Sequence, residues 1–125
     1  MERTDVLVAV RDLFFRVKLE TALTGLGLSV ARLEGESPAA AARHAPRLMI
    51  LDLADAGLDP LESLRLIRAD TRTAALPVLG FAPHADRELR ARAAEAGCTA
   101  VVPRSRIAAG LPELVARWLP AARKV

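Results

Sequence analysis

The side chains able to do chemistry fall in four short segments, each at the end of an apolar run. They are Val10-Arg11-Asp12, Asp52, Ala82-Pro83-His84 and Pro103-Arg104-Ser105. Asp52 with Arg11 and Arg104 offers charge pairing between one carboxylate and guanidinium forks. Ser105, His84 and Asp52 together carry the side-chain types of a hydrolase triad, but no nucleophile elbow surrounds the serine. His84 has no cysteine or second histidine nearby in sequence to complete a metal set, and His44 has no partner ligand either. At the end of the second helix His44 suits the helix dipole as a cation. The lone Cys98 excludes an internal disulfide and any multi-cysteine site, and reads as a small apolar residue. No metal, no cofactor and no catalytic residue is expected, so the chain is not read as an enzyme.

Composition bounds the rest. The 125 residues are 52% apolar and 26% charged, the profile of one globular domain spanning 1–125 with a single core and no room for a second domain. Runs such as Val6 to Val10 and Leu48 to Leu51 are too short to cross a bilayer. The opening Met1-Glu2-Arg3-Thr4-Asp5 is not a leader, so a cytoplasmic location without membrane attachment is expected. The net charge is +3, and 16 of the 18 Lys and Arg residues are arginine, the exceptions being Lys18 and Lys124. These cations are spread along the chain, and three Phe, one Trp and no Tyr make no stacking platform. Both features argue against nucleic-acid binding. An arginine-based nucleic-acid or anion binder is kept as the more distant alternative.

Short apolar runs alternate with helix-period stretches. Strands are predicted over Asp5–Val10, Leu28–Leu33, Leu48–Leu53, Pro77–Ala82 and Thr99–Pro103. Helices are predicted over Asp12–Leu26, Pro38–Ala45, Pro60–Ala69, Ala85–Ala96 and Leu111–Leu119. Five strands each followed by a helix imply an α/β fold with a parallel sheet covered on both faces. Ser37-Pro38 and Asp59-Pro60-Leu61-Glu62 read as capped helix starts, and Gly27 and Gly97 as left-handed helix stops. The fourth helix carries Arg87, Arg90 and Arg92 with Glu88 and Glu95, read as a solvated face with local ion pairs.

The fifth helix aligns Ile107, Leu111, Leu114, Val115, Trp118 and Leu119 toward the core. On the first, Phe15, Leu19, Ala22, Leu23 and Leu26 share one face, while Leu13, Phe14 and Val17 point elsewhere. Two accounts fit that second group. The simpler one packs it beneath the neighbouring fifth helix; the other makes it an exposed patch for a protein partner.

Several segments together resemble the receiver domain of two-component response regulators. Leu48-Met49-Ile50-Leu51-Asp52-Leu53 is similar to the third strand that ends in the family's phosphoacceptor aspartate. Gly57-Leu58-Asp59-Pro60-Leu61-Glu62 follows where the family usually has Asp-Gly. Ile67 to Val78 resembles the third helix and its run into strand four, and Ala96-Gly97-Cys98-Thr99-Ala100-Val101-Val102-Pro103-Arg104 the approach to the fifth-strand lysine. The resemblance covers essentially the whole chain. It implies a flavodoxin-like sheet of order 2-1-3-4-5, a place in signal transduction, and Asp52 at the phosphoacceptor position.

The departures are specific. At the positions where the family holds Mg²⁺ with an acidic pair stand Val10 and Arg11, a hydrocarbon and a cation. Asp12, one place further, caps the first helix. The phosphoryl-contacting Ser or Thr is Ala82, the lysine is Arg104, and the aromatic switch residue is Val101. The expectation is therefore a degenerate stand-alone receiver that works by protein–protein contact or its own dimerisation. Family analogy puts the usual contact face on the fourth helix, fifth strand and fifth helix. Strands one and three are neighbours in this order, so Arg11 is expected to pair with Asp52 and lower its pKa. The alternative there leaves Asp52 solvated and Arg11 in water. A working phosphoacceptor, with Asp12 as an improvised metal ligand, is the second functional alternative.

Overall fold

The structure is a computed structural model that describes residues 4–119. Met1 to Arg3 and Lys124 lie outside the described residues. The strands are β1 (Val6–Ala9), β2 (Val30–Arg32), β3 (Leu48–Asp52), β4 (Val78–Ala82) and β5 (Ala100–Pro103). They pair in parallel in the order β2-β1-β3-β4-β5, as expected. Val6 stands opposite Val30 on one side and Leu48 on the other, which brings the ends of β1 and β3 level. Each predicted strand is present, β1 and β2 trimmed at both ends and β3, β4 and β5 at one.

Every residue of β1, β3 and β4 is buried, and the alternation of side chains splits them into two cores. Val6, Val8, Ile50, Leu79 and Phe81 face α1 (Leu13–Gly25) and α4 (Arg104–Ala116). Leu7, Ala9, Met49, Leu51 and Val78 face α2 (Pro60–Ala69), α3 (Arg87–Ala96) and Ala41 of the segment Pro38–His44. No described helix is long and apolar enough to cross a membrane.

Three local expectations are corrected. Pro38–His44 is a 3₁₀ helix, not an α-helix, although Ser37 caps it through Ala39 N–H as expected. At about 2 Å rise per residue this short stretch reaches further along the sheet face than an α-helix of equal length. Asp59 does not cap α2: its φ is +47° and its side chain makes no cap bond, so Pro60 and Glu62 begin the helix without it. The last helix starts at Arg104, well ahead of Leu111, and bends at Gly110, two residues before Pro112 withdraws its N–H. Gly27 and Gly97 do take left-handed backbone, with φ +83° and +110°.

The helix-face readings fare unevenly. The α4 stripe is buried as expected, with Trp118 half-buried beyond the helix end. On α1, Phe15, Leu19 and Leu23 enter the core but Ala22 is exposed. Leu13, Phe14 and Val17 do not pack beneath α4, and Phe14 is 87% exposed. The arginines and glutamates of α3 form no ion pair with one another among the described residues. Arg90 Nε is buried there without a hydrogen-bond partner.

Arg68 ties together the end of the molecule opposite the strand carboxyl termini. Its guanidinium donates to the carbonyls of Gly97 at 2.9 Å, Thr73 at 3.3 Å, Ala74 at 3.1 Å and Leu76 at 2.7 Å, and to Thr99 Oγ1 at 3.2 Å. Its Cγ lies 2.7 Å from where a Cβ on Gly97 would stand, so this turn admits no side chain. Removing the fork strands partly buried carbonyls. Arg68→Met is expected to cost about 2 kcal/mol in urea unfolding; an unchanged midpoint and slope would show the turn needs no such tie.

Candidate functional site

Polar side chains gather at the carboxyl ends of the strands, the rim where parallel α/β sheets place their ligand chemistry. Asp52 closes β3 and is 6% exposed. Its Oδ1 accepts the Ala54 N–H at 3.0 Å, which turns the chain out of the strand. A hollow of about 40 Å³ adjoins it, lined also by Phe81, Ala82, Pro83 and Arg104. That is room for about one water molecule.

Arg11 does not pair with Asp52. Its Nε and Nη2 donate to the two carboxylate oxygens of Asp55 at 2.7 and 2.6 Å, a bidentate fork. Asp55 is held for this contact by a turn of its own, its Oδ1 accepting Gly57 N–H at 3.0 Å. The guanidinium lies over Gly57 so closely that a Cβ there would collide with it. The loop after β3 is thus fastened to the loop after β1 by the Arg11 guanidinium.

A second clamp closes the other side. Arg104, the first residue of α4, donates from Nη2 to Asp12 Oδ2 at 2.8 Å. The other oxygen of Asp12 caps α1 by accepting Phe15 N–H at 3.2 Å, as the sequence implied. The guanidinium carbon of Arg104 sits 4.1 Å from the Phe15 ring centre and 5.8 Å from that of Phe81. The two rings are themselves 5.2 Å apart, so the cation rests on an aromatic pair.

These contacts set the charges. Burial raises the Asp52 pKa, opposing the expected lowering; Ala54 N–H and Arg104 offset part of this, while Asp55 and Asp12 add to it. Asp55 is pulled below the ordinary aspartate value by its hydrogen bond from Arg11, and Asp12 by its cap bond to Phe15 N–H and then by Arg104. Three carboxylates and two guanidiniums therefore share the rim, and the guanidiniums bond to the outer two carboxylates.

The remaining candidates stay apart. Val10 is buried, Ala82 closes β4 with only a methyl group, and Val101 is half-buried on β5. Among the described residues no hydrogen bond joins Ser105, His84 and Asp52, and no three His, Cys, Asp or Glu side chains converge on a metal-sized site. His44 bonds Glu36 at 2.9 Å. Cys98 is buried and its thiol is pushed up to about 11, mainly by desolvation, so it is unreactive near neutrality. Sequence reasoning passed over Asp55 and the Phe15–Phe81 pair. The Asp-x-Gly spacing of Asp55 and Gly57 was the available signal for the first; nothing local marks the second.

The raised Asp52 pKa gives a signed expectation. A buried carboxylate costs stability once ionised, so the cost is present at neutral pH and vanishes below the ordinary value of 3.8. Asp52→Asn, which still accepts from Ala54 N–H, is expected to melt a few degrees higher at about pH 7 and equally at about pH 3. Thermal melts at the two pH values check this, and a gain that persists in acid would contradict it.

No family model matches the sequence, and no curated protein matches it. Solved structures do. The chain is similar to the receiver domain of a sensor histidine kinase from Pseudomonas aeruginosa, a structure with magnesium coordinated in its active-site cleft. Identity is 21% over 95% of this chain and 99% of that one, with a TM-score of 0.77. The chemotaxis protein CheY4 of Vibrio cholerae gives 18% identity over 94% and 99%, with a TM-score of 0.80. NtrX from Brucella abortus, solved with ADP, gives 25% identity over 98% of this chain but 27% of that one, with a TM-score of 0.77. The five-stranded parallel sheet and its order agree with these neighbours: the chain has the receiver fold of response regulators.

Proposed function

We propose that this chain is a degenerate receiver that serves signal transduction through protein contact, without metal-dependent phosphorylation and without enzymatic activity. The observation that carries the reading is the pair of arginine clamps. Phosphoryl transfer to a carboxylate needs a cation free to gather the equatorial oxygens and the leaving group. The Pseudomonas aeruginosa neighbour coordinates magnesium in its active-site cleft. Here the donor set does not fit such an ion: Val10 is apolar, Arg11 is cationic, and Asp12 and Asp55 are each bonded to a guanidinium. A divalent ion would have to enter beside Arg11 and displace its bidentate bond. Arg104 lines the Asp52 hollow, but its Nη2 is bonded to Asp12 and its guanidinium is stacked on Phe15.

The clamps also suit a constant output. Each joins two loops that a switch would need to move: the loops after β1 and β3 through Arg11–Asp55, and the start of α4 to the start of α1 through Arg104–Asp12. The contact surface in this reading is the outer face of α1. Leu13, Phe14 and Val17 are 55%, 87% and 46% exposed on adjacent turns. Large aromatic anchors of this kind concentrate binding energy at protein interfaces.

Intact-mass measurement after incubation with Mg²⁺ and acetyl phosphate tests the first half. The expected mass is unchanged; a phosphoryl adduct absent from Asp52→Ala would make the chain a working phosphoacceptor. Phe14→Ser tests the second. With so exposed a ring, stability is expected to stay within about 0.5 kcal/mol, while self-association in sedimentation velocity or capture of the signalling partner falls. A variant that keeps both would remove this patch from the reading.

A further inference from the structure

The rim holds a second hollow, much larger than the Asp52 pocket and lined by different residues. A groove of about 580 Å³ runs over the ends of β1 and β2, between α1, the loop after β2 and Gly57-Leu58. Its volume falls within the range of small-molecule sites, and it lies beside the crossover point where β1 separates β2 from β3. Val10, Leu33 and Leu58 supply apolar lining, and Arg11, Arg16 and Arg32 supply charge.

Two of these arginines are incompletely engaged. Arg16 Nε stands 3.8 Å from one oxygen of Glu20, and Arg32 Nη1 stands 3.7 Å from the other. Arg32 Nε is 3.8 Å from Glu34. All three separations exceed hydrogen-bond length. Arg16 Nε is buried with no hydrogen-bond partner, an expensive state for a donor. One carboxylate, Glu20, is thus shared by two guanidiniums, while Glu34 extends into water and Glu36 is bonded by His44. Arg11 is already committed to Asp55.

What would satisfy such a pair is an acceptor with more than two oxygens and more than one charge. A phosphoryl group takes a fork from each of two arginines; a carboxylate, already present as Glu20, does not. A nucleic-acid strand is disfavoured by the acidic Glu34 and Glu36 at the rim and by the lack of an aromatic lining. We propose that this groove binds a small organic phosphate, its phosphoryl group taken by Arg16 and Arg32 and its less polar body laid on Val10, Leu33 and Leu58. None of its residues lines the Asp52 hollow.

The test is an NMR titration of the ¹⁵N-labelled full chain with phenyl phosphate and, separately, inorganic phosphate. Saturable shifts confined to the Arg16 and Arg32 Nε–H signals and to the amides of 33–36 and 57–58 are expected, with phenyl phosphate binding several-fold more tightly. Arg32 is half-exposed, so Arg32→Gln keeps the fold and is expected to weaken binding about tenfold. Glu34→Gln is expected to tighten it, a gain that no folding defect would mimic. Shifts that never saturate, shifts spread over every basic surface, or an Arg32→Gln affinity equal to the parent would overturn the site. Equal affinity for the two phosphates would overturn the role of the apolar lining.

Discussion

A parallel sheet covered on both faces leaves one place for polar side chains, the rim where its strands end. Every residue of β1, β3 and β4 is buried, so the charged groups of this protein are pushed outward to helix surfaces or forward to that rim. There they meet a second constraint. Asp52 sits at the end of a fully buried strand and is partly desolvated, so the cost of its charge depends on which cations lie near. Two arginines lie near, and neither bonds it. Their geometry turns both outward, onto Asp55 and Asp12.

That choice follows from reach and support. Arg11 leaves β1 on the side of the Asp55 turn, and Gly57 offers an open backbone for the guanidinium to lie on. Arg104 starts α4, where the Phe15–Phe81 pair provides a flat apolar seat and Asp12 a charge at the edge of it. A lysine at 104 would carry a point charge on a flexible stem; the planar guanidinium can stack and bond at once. Arginine at this position therefore bonds the α1 cap and stacks on Phe15 while still lining the hollow beside Asp52.

Much of the architecture was legible because burial on both faces writes itself as unbroken apolar runs, and Leu48 to Leu51 or Val6 to Val10 can hardly be anything but interior strands. Caps built on local spacing, such as Asp12 and Ser37, were also legible. Partner choice was not. The stem of Arg11 is long enough for either Asp52 at the end of β3 or Asp55 in the loop after it, and only the fold of that loop decides between them. Exposure on α1 failed for a related reason. Leu13, Phe14 and Phe15 are consecutive, about 100° apart around the helix, so they cannot all face the sheet. Which flank α4 covers is a tertiary fact, and it leaves Phe14 in water.

The two surfaces proposed for binding meet on one helix. Arg16 faces the groove beside β2, while Phe14 and Val17 face outward from the same turns of α1. The start of that helix is pinned by Asp12, which Arg104 holds from α4. A ligand drawing Arg16 away from Glu20 would act on the turn that carries the apolar patch, with no movement required at Asp52. α1 is the element that the two surfaces share. Coupling between them would run from the groove through one turn of helix to the exposed ring, with Asp12, held by Arg104, as its fixed point.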